Sequence, residues 1–251
     1  MQIIEFKEGK GSYFSSISST QEEIKKDSYP PGSWILSKEQ TQGKGRNSNT
    51  WIGFAEQSIY FSGKCQITIS KEISLPIFSL LVANSVFRTL SSLEIDSKFL
   101  KMKWPNDLYY REKKVAGILI ESNLLEDRLE WILGIGINLF SEKIPEALKE
   151  KATVLLEKPI PEEQIPDLVK KLLTQINLSL YGLADETFLQ REIQFSFENS
   201  LLKARNVEFL HEKKIQQGEV FGYSTKGYLQ IKTATGQAIE LLDTTPEFRI
   251  L

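Results

Sequence analysis

Histidine and cysteine are almost missing from this chain, which holds one of each, His211 and Cys65. No disulfide can form within the chain, and zinc sites of the Cys/His type lack ligands. A Ser-His-Asp or Cys-His mechanism would have to recruit His211, which lies in a late run of strands and turns with no nucleophile motif beside it. Cys65 stands between Lys64 and Gln66 in a strand-like run and reads as a small packed residue, not a reactive thiol. Long apolar runs are missing as well. No window reaches the ~18 consecutive apolar residues of a membrane span, and Met1 to Glu5 lacks a basic region followed by an apolar stretch. A soluble, cytoplasmic protein with no membrane contact is expected. Excess charge of either sign is also absent: 31 Lys and Arg face 33 Asp and Glu, a formal charge of −2, so no broad basic face is available for nucleic acid. Chemistry is left to Lys, Arg, Asp, Asn, Ser and Thr, and an anionic substrate has to be met locally.

The 251 residues suffice for one large domain or for a main domain with a small appendage. Ser19 with Glu22, and Thr20 with Glu23, have capping-box spacing and predict a helix start. A buried strand over Ser33 to Ser37, a polar glycine-bearing and mobile loop from Glu39 to Thr50, and a strand over Ser58 to Ser62 follow. Ser74 as cap with Pro76 in the first turn opens a helix, with Ile77, Leu80, Leu81, Phe87 and Leu90 at helical spacing. Strands are expected near Phe99 to Trp104, Val115 to Ser122 and Leu129 to Leu139, the last two antiparallel about a polar turn at Glu126-Asp127. Two amphipathic helices, Ile165 to Leu180 and Ala184 to Phe197, complete an α+β unit: a mixed central sheet covered by helices over residues 1–200. Residues 201–251 change character. Short strands at Asn206 to Leu210, Gly218 to Tyr223, Tyr228 to Thr233, Gln237 to Leu241 and Phe248 to Leu251, with turns at Lys213-Lys214, Ser224 to Gly227 and Thr235-Gly236, read as a small five-stranded barrel. It buries too little surface to stand alone and should dock on the main domain.

Three stretches depart from packing patterns. Gln40 to Trp51 sets Gly43 and Gly45 among Lys44 and Arg46, so backbone amides can approach an anion while two cations supply charge-assisted hydrogen bonds. No Gly-Lys-Ser/Thr follows, so it is not a Walker loop; a solvated basic turn is the plainer reading. Lys103-Trp104-Pro105-Asn106-Asp107 ends an apolar strand with a proline, leaving Asn106 and Asp107 either to stabilise a turn or to face a ligand. Beyond it, Ala116 and Gly117 are small residues inside a strand, a place where another group approaches closely. Leu133-Gly134-Ile135-Gly136-Ile137-Asn138 puts two glycines on one strand face, bare either for a flat ligand or for tight packing under a helix.

Together these stretches resemble the biotin protein ligases. Gly43-Lys44-Gly45-Arg46 through Trp51 is similar to that family's glycine-and-arginine adenylate loop, Lys103 to Asp107 to its Lys-Trp-Pro-Asn-Asp segment, Lys114 to Leu119 to its Lys-x-Ala-Gly-Ile-Leu strand, and Gly136-Ile137-Asn138 to its Gly-Ile-Asn signature. Order and spacing agree from Ser19 to Asn138, and the terminal strands fit an SH3-like C-terminal domain.

The resemblance implies a two-step reaction: biotin and ATP, with Mg²⁺, give biotinyl-5′-adenylate, and a lysine of a biotin carboxyl carrier protein or domain takes the biotinyl group. It implies that Ser19, Thr20, Gln21 and Gln40 meet the ureido ring, and that Lys44, Gly45 and Arg46 wrap carboxylate and phosphate. Lys114 would bridge carboxylate and α-phosphate oxygens, and Gly117 would also contact biotin. Trp51 would stack on adenine and Asn138 would read its edge, while Lys103, Asn106 and Asp107 line the phosphate and metal region, with no dedicated protein metal site. Lys114, Arg46 and Asp107 would carry catalysis. Elementary electrostatics agrees: a carboxylate ~4 Å from a phosphate costs about 4 kcal/mol at an effective dielectric constant of 20, so fixed cations are needed. Gln21 stands where the family commonly has Asn, and Asn47, Ser48 and Asn49 where bacterial members are often basic or carry glycine. The stretch before Ser19 is too short for a helix-turn-helix domain, so a DNA-binding repressor role is not expected. A monomer or homodimer is implied. The rival readings are a lipoate or octanoyl transfer enzyme of the same fold, and a biotin-binding regulator without catalysis, which would not need Lys114 and Arg46.

Overall fold

The computed structural model describes residues 3–53, 56–68, 74–125 and 128–251. Eight strands build the main sheet: β1 (Ile3–Ile4), β2 (Gly11–Ile17), β3 (Trp34–Gln40), β4 (Gln57–Thr68), β5 (Leu100–Lys103), β6 (Asp107–Tyr110), β7 (Lys113–Leu125) and β8 (Arg128–Phe140). Their order is β2-β3-β4-β8-β7-β6-β5, with β1 on β4. β2 and β3 run parallel and β7 and β8 antiparallel, so the sheet is mixed, as expected. The turn expected at Glu126-Asp127 lies outside the described residues.

Four helices accompany it: α1 (Thr20–Glu23), α2 (Leu75–Leu90), α3 (Ile165–Gly182) and α4 (Glu186–Glu198). α2 starts as its sequence predicts, with Ser74 accepting from the Ile77 amide and Pro76 in the first turn. Strand alternation decides the core. Odd-numbered Trp131, Leu133, Ile135 and Ile137 of β8 join Ile59, Phe61 and Ile67 of β4 under α2 and α3, and Phe78 stacks on Trp131 with ring centroids 3.7 Å apart. Even-numbered residues of the same strands, Ser62, Gly134 and Gly136 among them, face the other way, toward α1.

Two elements have no clear sequence signature and one is shorter than its pattern suggests. Serine-rich β2 carries little apolar alternation, yet it pairs with β3. Pro105 does stop β5, but the chain turns through a cis Trp104–Pro105 bond and re-enters the sheet as β6, so Asp107 opens a strand opposite Lys103. α1 is a single turn, and the Ser19 side chain makes no cap; the first helical amide, Thr20 N, donates to Gln40 Oε1 at 2.7 Å instead.

The C-terminal strands β9 (Asn206–His211), β10 (Lys214–Tyr223), β11 (Leu229–Thr233), β12 (Ala238–Leu241) and β13 (Arg249–Ile250) form a second, antiparallel sheet in the order β12-β11-β10-β9-β13. The first hairpin turns at Glu212 and Lys213, one residue earlier than expected, with φ of 48° and 63°. That sheet docks as anticipated: Ile77 and Leu80 of α2 and Trp104 share a core with Val207, Phe209, Leu229 and Ile231. Trp104 Nε1 donates to Gly227 O at 2.9 Å. A Cβ on Gly227, whose φ is +79°, would come within 2.6 Å of Ile77 N, so this contact requires glycine. No helix of the described residues is long and apolar enough to cross a membrane.

Candidate active site

A cavity of about 250 Å³ lies on the polar face of the main sheet. Its α1 side is a closed hydrogen-bond set. Gln40 Oε1 accepts from both the backbone amide and the hydroxyl of Thr20, at 2.7 and 3.0 Å, and the Thr20 hydroxyl lies 2.9 Å from Ser62 Oγ. Ser62 donates to Gln21 Oε1 at 3.1 Å, and Gln21 Nε2 donates to Glu121 at 2.7 Å and to Ile132 O at 3.3 Å. Every member thus has its rotamer fixed before any ligand arrives, which lowers the ordering cost of binding.

The two glycines of β8 do share a face, and the protein's own side chains use the space. A Cβ on Gly134 would sit 2.4 Å from Gln21 Oε1, and one on Gly136 would sit 2.4 Å from Trp51 Cε2. Gly117, paired with Gly136 across β7 and β8, would meet Trp51 Cζ3 at 2.8 Å. The indole therefore lies on backbone, with the Lys114 ammonium 5.3 Å from its ring centre.

The glycine-bearing loop is pinned at several points. Lys44 and Thr50 form a bridge, Gly45 N donates to Asn49 O at 2.8 Å and Trp51 N to Gly43 O at 3.0 Å. Lys44 Nζ reaches Glu22 at 2.8 Å, while Arg46 reaches Asn106 Oδ1 at 3.1 Å and pairs with Asp243 of the C-terminal segment. Glu22 is held below the usual carboxylate range by its hydrogen bond from Lys25 and then by that from Lys44.

On the opposite wall, Asn106 Nδ2 donates to Ile118 O at 2.7 Å and its own carbonyl accepts from Ile118 N at 2.9 Å. Lys114 Nζ faces Asp107 Oδ1 at 2.7 Å as an ion pair without hydrogen-bond geometry. Lys103, beside Asp107 in the β5–β6 ladder, has its pKa pushed down by burial, with Asp107 opposing and Lys114 adding to the shift. Burial drives the Tyr109 phenol up to about 12.

Of the anticipated residues, Thr20, Gln21, Gln40, Lys44, Gly45, Arg46, Trp51, Asn106, Asp107, Lys114 and Gly117 line the cavity. Ser19, Lys103 and Asn138 do not. Ser19 Oγ and Asn138 Oδ1 are nonetheless buried without a hydrogen-bond partner among the described residues, as is Trp51 Nε1. Cys65 is fully buried with its thiol pKa pushed up, so it is inert as expected. Sequence reasoning misses Ser62, Glu22, Glu121, Asp243 and Thr244. A serine among Ile59, Tyr60 and Phe61 is the one local signal; Asp243 lies too far from Arg46 in sequence to leave any.

The mixed sheet is buried under helices on one face and carries Lys44, Arg46 and Lys114 around the cavity on the other, and residues 13–138, half of the chain, match the Biotin/lipoate A/B protein ligase family. The chain belongs to that family. Its structure is similar to that of the biotin protein ligase from Aquifex aeolicus in complex with biotin and ATP, at 30% identity and a TM-score of 0.77, covering 96% of this chain and 98% of that one. In sequence it is 33% identical over 152 residues to the bifunctional ligase/repressor BirA of Bacillus subtilis (strain 168), covering 57% of this chain and 45% of the relative. The Homo sapiens biotin–protein ligase is 30% identical over 110 residues, 42% of this chain and 15% of the relative. The alignments thus span about half or less of these curated relatives.

Proposed function

We propose that the chain is a biotin–[biotin carboxyl-carrier protein] ligase acting in two steps. The biotin carboxylate attacks the α-phosphate of ATP and pyrophosphate leaves, giving biotinyl-5′-adenylate; the amine of a carrier lysine then attacks the acyl carbon, loses a proton, and AMP leaves. The observation that carries this reading is the convergence of Lys44, Arg46 and Lys114, with Asn106 and Asp107, around one cavity whose other side is the Thr20, Gln21 and Gln40 hydrogen-bond set. The likeness along nearly the whole chain to a ligase solved with biotin and ATP supports it.

In this reading Ser19, Thr20, Gln21 and Gln40 take the ureido group, whose paired N–H and C=O groups match a wall of fixed donors and acceptors. Lys44, Gly45 and Arg46 close over the carboxylate and phosphate, and Lys114 stabilises the charge that develops at the α-phosphate. Trp51, with one face on glycine backbone, presents the other to adenine, and the unsatisfied Asn138 Oδ1 is an acceptor for its amino group. Asp107 orients the incoming amine. The described residues hold no cluster of three or more His, Cys, Asp and Glu side chains, and Asp107 is the one carboxylate among the described lining residues. That donor set suits Mg²⁺ brought in with the triphosphate, toward which Asp107 would supply a negative charge and Asn106 a neutral oxygen. Residues 1–200 form the ligase unit and 201–251 the SH3-like C-terminal unit, with no nucleic acid involved.

The test incubates the full chain with labelled biotin, ATP, Mg²⁺ and a folded carrier domain. Labelling of one carrier lysine with release of AMP and pyrophosphate is expected; a short unstructured peptide around that lysine should be a far poorer acceptor, and lipoate or octanoate should give no product. Absence of both pyrophosphate and labelled carrier refutes the reading.

A further inference from the structure

We infer that Asp243, in the segment after β12, is a positioning residue for Arg46, and that through it the C-terminal sheet holds the Gly43–Trp51 loop over the cavity. The inference rests on the ligase reading for its consequence, but its geometry stands alone. Both ends of the Arg46 guanidinium are engaged: Nη1 donates to Asn106 Oδ1 at 3.1 Å, and Nη2 pairs with Asp243 Oδ2. Each partner is itself fixed. Asn106 is tied to Ile118 through both its side chain and its carbonyl, and Asp243 Oδ1 accepts from the Thr244 amide at 2.6 Å.

Asn106 is neutral, so Asp243 supplies the one ion pair to Arg46 among the described residues. A lone exposed pair contributes little, and these side chains are 28% and 47% exposed. A planar fork held between Asn106, in the turn after β5, and Asp243, in the segment after β12, is different, because it fixes direction as well as charge. Packing does not provide that fixation. A cleft of about 100 Å³ adjoins the pair, with Ile118, Ile120 and Leu242 among its lining, and Leu242 is 62% exposed. Both members of the ion pair line that cleft. Thr244, next to Asp243, lines the main cavity, so a shift of this segment is felt where the adenylate would sit.

The test compares the full chain with Asp243→Asn, Asp243→Glu, Arg46→Ala and the Arg46→Ala/Asp243→Asn double variant. The first readout needs no activity: amide exchange at Gly45, Asn49 and Trp51, whose hydrogen bonds lie inside the loop. Asp243→Asn should speed it roughly tenfold, the size expected for one lost charge-assisted hydrogen bond, with the melting temperature little changed. Asp243→Glu should recover most of the protection. The second readout is escape of biotinyl-adenylate, seen as labelling of bystander protein, which should rise in Asp243→Asn and show no further rise in the double variant over Arg46→Ala. Unchanged exchange in Asp243→Asn, or an undiminished effect of Asp243→Asn when Arg46 is already Ala, overturns the inference. If the wild type makes no adenylate, the ligase reading has failed, and the exchange data still decide the role of Asp243.

Discussion

The indole of Trp51 rests on the backbone of Gly136 so closely that a methyl group there would fall 2.4 Å from Cε2 and 2.6 Å from Nε1. Gly136→Ala must therefore push the ring off the sheet. Overpacking of this kind costs about 1–3 kcal/mol, and the displaced ring no longer presents a flat face to adenine. The expected outcome is a lowered melting temperature together with a raised KM for ATP. Adding Trp51→Ala to Gly136→Ala should restore the melting temperature while leaving ATP binding poor. A Gly136→Ala protein with wild-type KM for ATP would show that the indole has no part in nucleotide binding.

Glu22 links the α1 wall to the loop through two ammonium groups, Lys25 and Lys44, at 2.7 and 2.8 Å. Its folded pKa is lowered, so its contribution to stability is complete above the ordinary value of 4.5 and is lost as pH falls through the lower folded value. The Lys25 bond is the larger cause. Carboxyl titration followed by NMR should show a greater upward shift in Lys25→Met than in Lys44→Met, and acid should loosen the loop before the core. The reverse order of the two variants would mean that the Lys44 contact governs the carboxylate.

Features legible in the amino-acid sequence and features hidden in it divide by range. α2 is readable because Ser74, Pro76 and the spacing from Ile77 to Leu90 all act within a few turns. Lys44, Arg46, Asn106, Asp107 and Lys114 are readable as a set through the resemblance of four ordered motifs, because each stretch alone reads as readily as a turn or a solvated loop. β6 is hidden because Pro105 stops β5, and it is the cis turn followed by pairing with both β5 and β7 that brings Asp107 to Tyr110 back into the sheet. Periodicity locates the bare face of Gly134 and Gly136, but it cannot say that Gln21 and Trp51, both distant in sequence, fill it. Asp243 is invisible for the same reason.

Arg46 and Lys44 each direct their charge to a carboxylate from outside the loop, Asp243 and Glu22, and the loop's own hydrogen bonds are few. In the ligase reading the phosphate of biotinyl-adenylate would offer these cations a partner further from solvent. Biotin with ATP should therefore protect the amides of Gly43 to Trp51 from exchange beyond the level of the free protein, and Arg46→Gly should release adenylate that labels bystander lysines. Identical exchange with and without the two substrates would exclude a closing role for the loop.

Lys114 faces Asp107 at 2.7 Å, with side chains 30% and 20% exposed, and its ammonium also stands over Trp51. In the ligase reading this is the cation that meets the carboxylate and the α-phosphate, and it is held by both a carboxylate and an aromatic ring. Removing it leaves the half-buried Asp107 with Lys103 as its remaining neighbouring cation, a loss that by itself destabilises the fold. The effect on rate must therefore be separated from the effect on stability. Lys114→Ala should lower the adenylation rate by roughly 10²-fold or more, the usual loss for one preorganised charge donor. Lys114→Ala with Asp107→Asn should recover stability without recovering rate, because the neutral amide no longer needs a partner while the phosphate still does. Pyrophosphate release measured under single-turnover conditions, beside a thermal melt, tests both statements. Wild-type pyrophosphate release by Lys114→Ala, or a double variant that regains rate along with stability, would reduce Lys114 to a structural partner of Asp107.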